Sequence, residues 1–136
     1  MVLSSCASSR VHVPSRPKRF FACTRWIDRN KDGIYDYYEF ENIKTAFRQS
    51  DPVMFVGLFD FAPIGTNITF SLFTPDGSLF NTYSKMQVFR GTLLHFEFSA
   101  SDLVSAGSTG IWSGVWEIEG EVVAVTSINI LRHDHY

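Results

Sequence analysis

The hydrophobic pattern changes near residue 52, from a helical spacing to the alternation that is typical of β-strands. Before that point, apolar residues recur at i, i+3 and i+7, which is one stripe of an amphipathic helix: Phe40, Ile43 and Phe47. Asp36 and Glu39 have the spacing of an N-terminal capping pair. The Asp51-Pro52 step disfavours further helix. The pattern therefore predicts a helix from about Tyr37 to Gln49.

The remainder of the chain reads as short strands. Val53–Phe61 is apolar on both faces, which predicts a central strand that is covered on each side. Two later segments alternate, and each places three apolar residues on one face: Ile68, Phe70 and Leu72, then Leu94, Phe96 and Phe98. Thr74–Ser78, with the sequence "TPDGS", has the composition of a turn. These features predict several antiparallel strands with a buried face.

The C-terminal third predicts a short helical turn and then a closing hairpin. Ser101–Val104 lies in a loop-like stretch that has room for one helical turn. The hairpin turn falls near Glu119-Gly120, and Trp116 and Ile118 point inward. Seven or so short strands with turns every 8–12 residues predict a mainly β protein, an antiparallel β-sandwich.

A cluster of oxygen-bearing residues surrounds Gly33 ahead of this body. The stretch "DRNKDGIYDYYE" fills every constrained position of the EF-hand calcium loop. Calcium takes six to eight oxygen ligands, and a glycine permits the sharp turn that brings them together. The predicted ligands, with one residue acting through its backbone carbonyl, are Asp28, Asn30, Asp32, Ile34 (the carbonyl), Asp36 and Glu39.

The resemblance to an EF-hand covers the loop and the helix predicted after it. EF-hands usually work in pairs, and the chain contains one such loop. The entering segment, "RFFACTRWI", also lacks a full helical stripe. The resemblance therefore implies a Ca²⁺ ion that acts as a structural staple rather than as a signal. The alternative is an acidic surface turn that binds no ion.

The body of the chain also resembles a known class of sandwich. The order "TPDGSLF … FEFSA … GIWSGVWEIEGEVVA" is similar to immunoglobulin-like modules of bacterial surface and secreted proteins. In these modules a Gly-x-Trp strand leads into a hairpin and a final edge strand, and the matching residues here are Gly110, Trp112, Trp116 and Gly120. The Cys–Trp–Cys spacing of antibody domains is absent, so the implied kinship is architectural.

The first residues resemble the end of a bacterial lipoprotein signal, in which a leucine and two small residues precede a lipidated cysteine. Here these are Leu3, Ser4, Ser5 and Cys6. The Ser-, Pro- and Arg-rich stretch that follows is typical of a tether, although an ordinary ragged N-terminus has the same composition. We therefore expect three parts: a signal remnant and tether (1–19), a calcium loop with its helix (20–50), and the sandwich (51–136). We expect the last two parts, residues 20–136, to form one folded unit.

Composition narrows the classes of partner. The chain has 136 residues, of which 45% are hydrophobic and 15% aromatic, a globular profile. The net charge of −2 gives no general attraction to nucleic acid. No apolar run reaches the roughly 20 residues of a membrane helix, so we expect membrane contact only through a lipid on Cys6. The two cysteines, Cys6 and Cys23, could also pair in an oxidising compartment.

The sequence offers little catalytic chemistry, and we expect a protein that is not an enzyme. It has no glycine-rich phosphate loop and no nucleophile elbow. His95 and Glu97 share a strand face, a pattern more typical of exposed polar surface than of an acid–base pair. The terminal "RHDHY" could bind a transition metal through its histidines and aspartate. Three tryptophans could either form a sugar-stacking platform or belong to the core: Trp26, Trp112 and Trp116.

Together these features predict a calcium-binding domain outside the cytoplasm, tethered to a bacterial envelope, with a binding or structural role. Its expected partners are calcium and an envelope protein or a glycan. The alternative function is a carbohydrate- or protein-binding accessory module. A cytosolic calcium responder and an enzyme are less favoured.

Overall fold

The computed structural model describes residues 11–12, 19–28, 31, 35–36, 39–59, 62–87 and 92–132. These residues form twelve strands and one helix. In chain order the elements are β1 (Val11–His12), β2 (Phe20–Cys23), β3 (Arg25–Trp26), β4 (Tyr35–Asp36), β5 (Phe40–Glu41), β6 (Ala46–Phe47), β7 (Pro52–Phe59), β8 (Asn67–Phe73), β9 (Leu79–Met86), β10 (Thr92–Ser99), α1 (Ala100–Ala106), β11 (Gly110–Ile118) and β12 (Glu121–Ile130).

Two sheets form the body. The larger has five strands in the order β6-β12-β11-β8-β9, and the smaller has three in the order β10-β7-β2. All pairs in them are antiparallel except the two-residue pairing of β6 with β12. Two small pairs, β1-β4 and β3-β5, lie outside these sheets. The predicted mainly β sandwich is therefore confirmed.

An aromatic core fills the space between the two sheets. Trp116 is fully buried and its ring centroid lies 4.6 Å from that of Phe70 and 5.5 Å from that of Phe59. Phe55 packs on Phe70 at 5.2 Å. Aromatic pairs at these separations add to the free energy of burial. The inward faces predicted for β8, β10 and β11 are confirmed, since their apolar residues belong to this core or pack against it.

β7 is covered on both faces, as its continuous apolar run predicts. Val53 and Phe55 join the main core, whereas Met54 and Val56 join a second cluster on the other face of the small sheet. This second cluster also contains the following residues of the N-terminal segment: Phe21, Cys23 and Phe40, with Trp26 and Ile43 packed against them. Phe21 and Cys23 belong to β2 of the smaller sheet, so the third layer consists of the segment after β2, which covers that sheet with Trp26, Phe40 and Ile43.

The prediction of a helix from Tyr37 to Gln49 is wrong. The described part of that range contains β5 and β6, and its residues bond to other strands. Asn42 between them has a φ of 55°, which is incompatible with a continuous right-handed helix. Phe40 packs in the second cluster and Phe47 in the main core, so the two residues contact different layers.

The later turns follow the sequence closely. A turn occupies residues 74–78, where the Thr74 N–H donates to the Ser78 carbonyl at 2.8 Å. The β11–β12 hairpin turns at Glu119 and Gly120, which have φ values of 51° and 86°. Two consecutive positive φ values are typical of the tight turns that suit twisted hairpins. The helical turn predicted at Ser101–Val104 is part of α1.

Gly114 tests how tightly the two sheets pack. A Cβ atom at this position would lie 2.6 Å from Phe70 Cε1 and 3.1 Å from Phe55 Cδ1. Gly114→Ala therefore forces two buried rings apart, and we expect it to lower the free energy of unfolding by about 1–3 kcal/mol. Ser113→Ala is the matched control, because the neighbouring side chain is on the opposite face and surface changes stay within about 0.5 kcal/mol. Equal urea midpoints for the two variants would contradict the packing described here.

Candidate functional site

The carboxylate loop is closed by strands rather than by helices. β3 pairs with β5, so that Trp26 lies opposite Phe40. The backbone N–H of Thr24 donates to the Glu41 carbonyl at 2.9 Å, and the N–H of Ile27 donates to the Glu39 carbonyl at 3.0 Å. These bonds bring the two ends of the loop together in a short antiparallel ladder. An EF-hand instead needs a helix on each side of its loop.

The structure places three of the six predicted calcium ligands. Glu39 is fully buried, and its Oε1 accepts a hydrogen bond from the Trp26 indole N–H at 3.4 Å. The Asp28 carbonyl accepts from the Lys31 N–H at 3.3 Å. Asp36 pairs through its backbone with His12 in the β1–β4 ladder. The other three lie outside the described residues: Asn30, Asp32 and Ile34.

These placements overturn the EF-hand interpretation. No group of three or more His, Cys, Asp or Glu side chains that could hold a metal occurs within the described ranges. The described flanks of the loop are strands, and the exiting helix does not exist there. The ligand set itself stays a prediction from the sequence, since half of it falls on residues that are not described.

Cys23 is a buried free thiol in the second cluster. The pKa of Cys23 is raised from 9.0 to about 12, mainly by burial and to a smaller extent by the negative charge of Glu97, while a backbone hydrogen bond with Arg25 acts in the opposite direction. A thiol with so high a pKa is a poor nucleophile at neutral pH. Cys23 therefore packs as an apolar residue and is not in a disulfide, while Cys6 lies outside the described residues.

The tryptophans do not form a sugar-stacking platform. Trp112 and Trp116 are fully buried in the main core, and Trp26 is half-buried against the second cluster. His95 Nδ1 lies 3.3 Å from Glu97 Oε2 on the outer face of β10, which confirms that this pair faces away from the main core. The C-terminal residues His133, Asp134 and His135 lie outside the described residues.

An open groove lies between the edge strands of the two sheets, and we call it the β9–β10 groove. Its volume is about 500 Å³. The lining residues come from β9, β10 and the start of α1: Phe80, Asn81, Tyr83, Glu97, Phe98, Ser99, Asp102 and Leu103. The sequence pattern did not point to this site, although Phe80 and Tyr83 lie close to Asn81 on β9.

Aromatic rings form the apolar wall of the β9–β10 groove. Tyr83 stacks on Phe96 with ring centroids 4.9 Å apart and an interplanar angle of 26°. Phe80 packs edge-to-face on Trp112 at 5.6 Å and on Phe98 at 6.3 Å. Each of these lining rings is half-buried, so one part is held by the core while another faces the groove. The rings are therefore fixed in position before any ligand arrives.

Polar groups surround this wall. The Asn81 side-chain N–H₂ donates to the Tyr83 hydroxyl oxygen at 3.2 Å, and its Oδ1 accepts from the Thr82 backbone N–H at 2.8 Å. These two bonds orient an exposed amide at the rim. Asp102 adds one exposed carboxylate at the start of α1, whereas the Glu97 carboxylate lies beside His95 on the outer face of β10. A wall of rings beside a few oriented polar groups is the usual make-up of a small-molecule site.

No known family profile matches the sequence, and no curated protein matches it. No helix among the described residues has the length and apolarity needed to cross a membrane. Among solved structures, the chain is similar to the crystal structure of an immunoglobulin-like protein from Pseudomonas aeruginosa. The TM-score is 0.53 at 11% identity, and the match covers 85% of this chain and 94% of the other. This likeness shows an immunoglobulin-like fold.

The buried thiol gives a prediction that separates packing from chemistry. In a Cys6→Ser background, we expect Cys23 to resist an aromatic disulfide reagent at pH 8 and to react fully once the protein is unfolded. Because the folded pKa is raised to about 12 from 9.0, the stabilisation from keeping the thiol neutral is complete below pH 9 and is lost as pH rises toward 12. In the Cys23→Ala variant, the free energy of unfolding should decrease less between pH 9 and pH 12. Rapid labelling of the folded protein would contradict the burial.

Proposed function

We propose that this immunoglobulin-like domain is a non-catalytic binding module that takes a saccharide in the β9–β10 groove. The observation that supports it most is the pairing of fixed aromatic rings, Tyr83 and Phe80, with the oriented amide of Asn81. The described residues of the groove include no cysteine or histidine and no basic side chain.

The chemistry of a sugar matches the two sides of the groove. One face of a pyranose ring presents C–H groups with partial positive charge, which are attracted to the negative face of an aromatic ring. The hydroxyl groups both donate and accept hydrogen bonds, so they can bond to the carboxylate of Asp102 and to the Asn81 amide. An open groove along a strand edge also lets a chain of sugars enter and leave at its ends.

Two parts of the sequence interpretation stay predictions beside this proposal. A position outside the cytoplasm, with a lipid on Cys6, is supported by the resemblance of the first residues to a lipoprotein signal. Calcium binding by the N-terminal loop is supported by its oxygen ligands alone. The proposed saccharide site uses neither, since its residues lie in β9, β10 and α1.

The groove is tested by titrating the ¹⁵N-labelled domain with a panel of neutral oligosaccharides of glucose, galactose, mannose and N-acetylglucosamine. We expect at least one to shift the amide signals of residues 80–83 and 97–102. Asn81→Ala removes an oriented hydrogen-bonding group, and we expect it to raise the Kd about tenfold, since a hydrogen bond to a ligand is worth roughly 1–1.5 kcal/mol.

Ser84→Ala is the matched control. Ser84 lies on the same strand, pairs with Thr69 on the outer face of the large sheet, and shares with it a hydroxyl contact of 3.0 Å. It should leave the Kd unchanged. No shift with any sugar at millimolar concentration would defeat the proposal, as would equal binding by wild type and a folded Asn81→Ala.

A further inference from the structure

We propose that β12 binds an extended segment of another polypeptide by strand addition along its free edge. On one side, β12 pairs with β11 over its whole length. On the other side, β6 pairs only with Asn129 and Ile130. From Glu121 to Ile128, that second side has no ladder partner in the part of the chain that the structure describes.

The backbone groups on this edge can be assigned from the pairing with β6. The N–H of Asn129 donates to the Thr45 carbonyl at 2.7 Å, so the backbone groups of Asn129 point away from β11. Since a strand alternates with a period of two, Val125 and Ser127 direct their N–H and C=O groups to the same edge. The amide of Thr126 points the other way, toward β11. Two donors and two acceptors therefore have no backbone partner among the residues that the structure describes.

The side chains along this edge lack the features that usually prevent an edge strand from pairing with another strand. Val122 is 59% exposed and Val125 is 57% exposed. Residues 122–130 include no charged residue and no proline. Proteins usually protect an edge strand with lysines, prolines or distortions. The opposite edge of the same sheet, β9, is mostly polar and carries Lys85, so the two edges of this sheet differ.

A β-bulge marks where the free edge begins. Trp116 pairs with Ala124, but Glu117 pairs with Val122, so Val123 is an extra residue in β12. A bulge disrupts the ladder locally. The usable edge therefore runs from Ala124 to the point where β6 starts to cover the strand, at Asn129. This is room for a short segment of about five residues.

The position of β6 argues against a second copy of this chain as the occupant. Symmetric antiparallel pairing that joins Val125 to Ser127 of the second copy would place Val123 opposite Asn129 of that copy, where β6 already occupies the edge of β12. Pairing that joins the two Val125 residues would place the bulged Val123 opposite Ser127, where the bulge disrupts the ladder. An extended segment that ends before Asn129 meets neither obstacle among the described residues. Its expected chemistry is an uncharged peptide with β-branched or aromatic residues at alternate positions, which would cover Val125.

The test selects displayed random ten-residue peptides on the folded domain and measures synthetic copies of the enriched sequences. We expect alternating apolar sequences, and we expect their binding to slow hydrogen exchange at the Val125 and Ser127 amides. The Thr126 amide should be slow in both states because it already bonds to β11. Exchange protection limited to residues 80–83 would place the peptide in the groove and overturn the proposal.

Two variants and one control separate the edge from the sheet face. Val125→Pro removes an outward donor, and Val125→Lys keeps that donor but adds a charge beside it, so each should weaken peptide binding at least tenfold. Val125→Lys serves if the proline variant does not fold. Ile111→Lys is the control, because Ile111 is 52% exposed on the neighbouring strand but contributes nothing to this edge. An equal loss of peptide affinity in Ile111→Lys and Val125→Lys would overturn the proposal. It would also be overturned if ultracentrifugation showed a dimer of the wild type that is absent in Val125→Lys.

Discussion

The double burial of β7 is the constraint on which the rest of this structure depends. The residues on both faces of β7 are apolar, so each face must be covered by another part of the protein. The large sheet supplies one cover through Phe70 and Trp116. The N-terminal segment supplies the other through Trp26 and Phe40. The small sheet therefore needs a cover on each side, and the described strands β3 and β5 provide the second one.

This constraint explains why the strand predictions were correct and the prediction of an N-terminal helix was wrong. A strand pattern with a period of two describes contacts that lie on one face of one element, as at Ile68, Phe70 and Leu72. The apparent helical stripe of Phe40, Ile43 and Phe47 arose differently. Phe40 and Ile43 pack on the second cluster and Phe47 on the main core. A single helix could not reach both layers, and a helix of about thirteen residues is marginal without tertiary support.

The candidate sites show a similar division. The carboxylate spacing from Asp28 to Glu39 was readable in the sequence, but the spacing carries no information about what flanks the loop. The flanks are set by the pairing of β3 with β5, a contact between distant positions. The β9–β10 groove depends on the meeting of two edge strands that are joined by no direct pairing. The pattern of each strand carries no information about this meeting, so the sequence could not place Asn81 near Phe98.

The two proposed surfaces lie at opposite ends of the five-stranded sheet, and they use different parts of the chain. The groove recognises its ligand with side chains of β9, whereas the edge recognises its ligand with backbone groups of β12. Strand addition at β12 would extend the sheet away from β9, because β11 and β8 stand between them. Neither ligand would displace the other. A domain built in this way can hold a glycan on one side while a partner protein extends its sheet on the other.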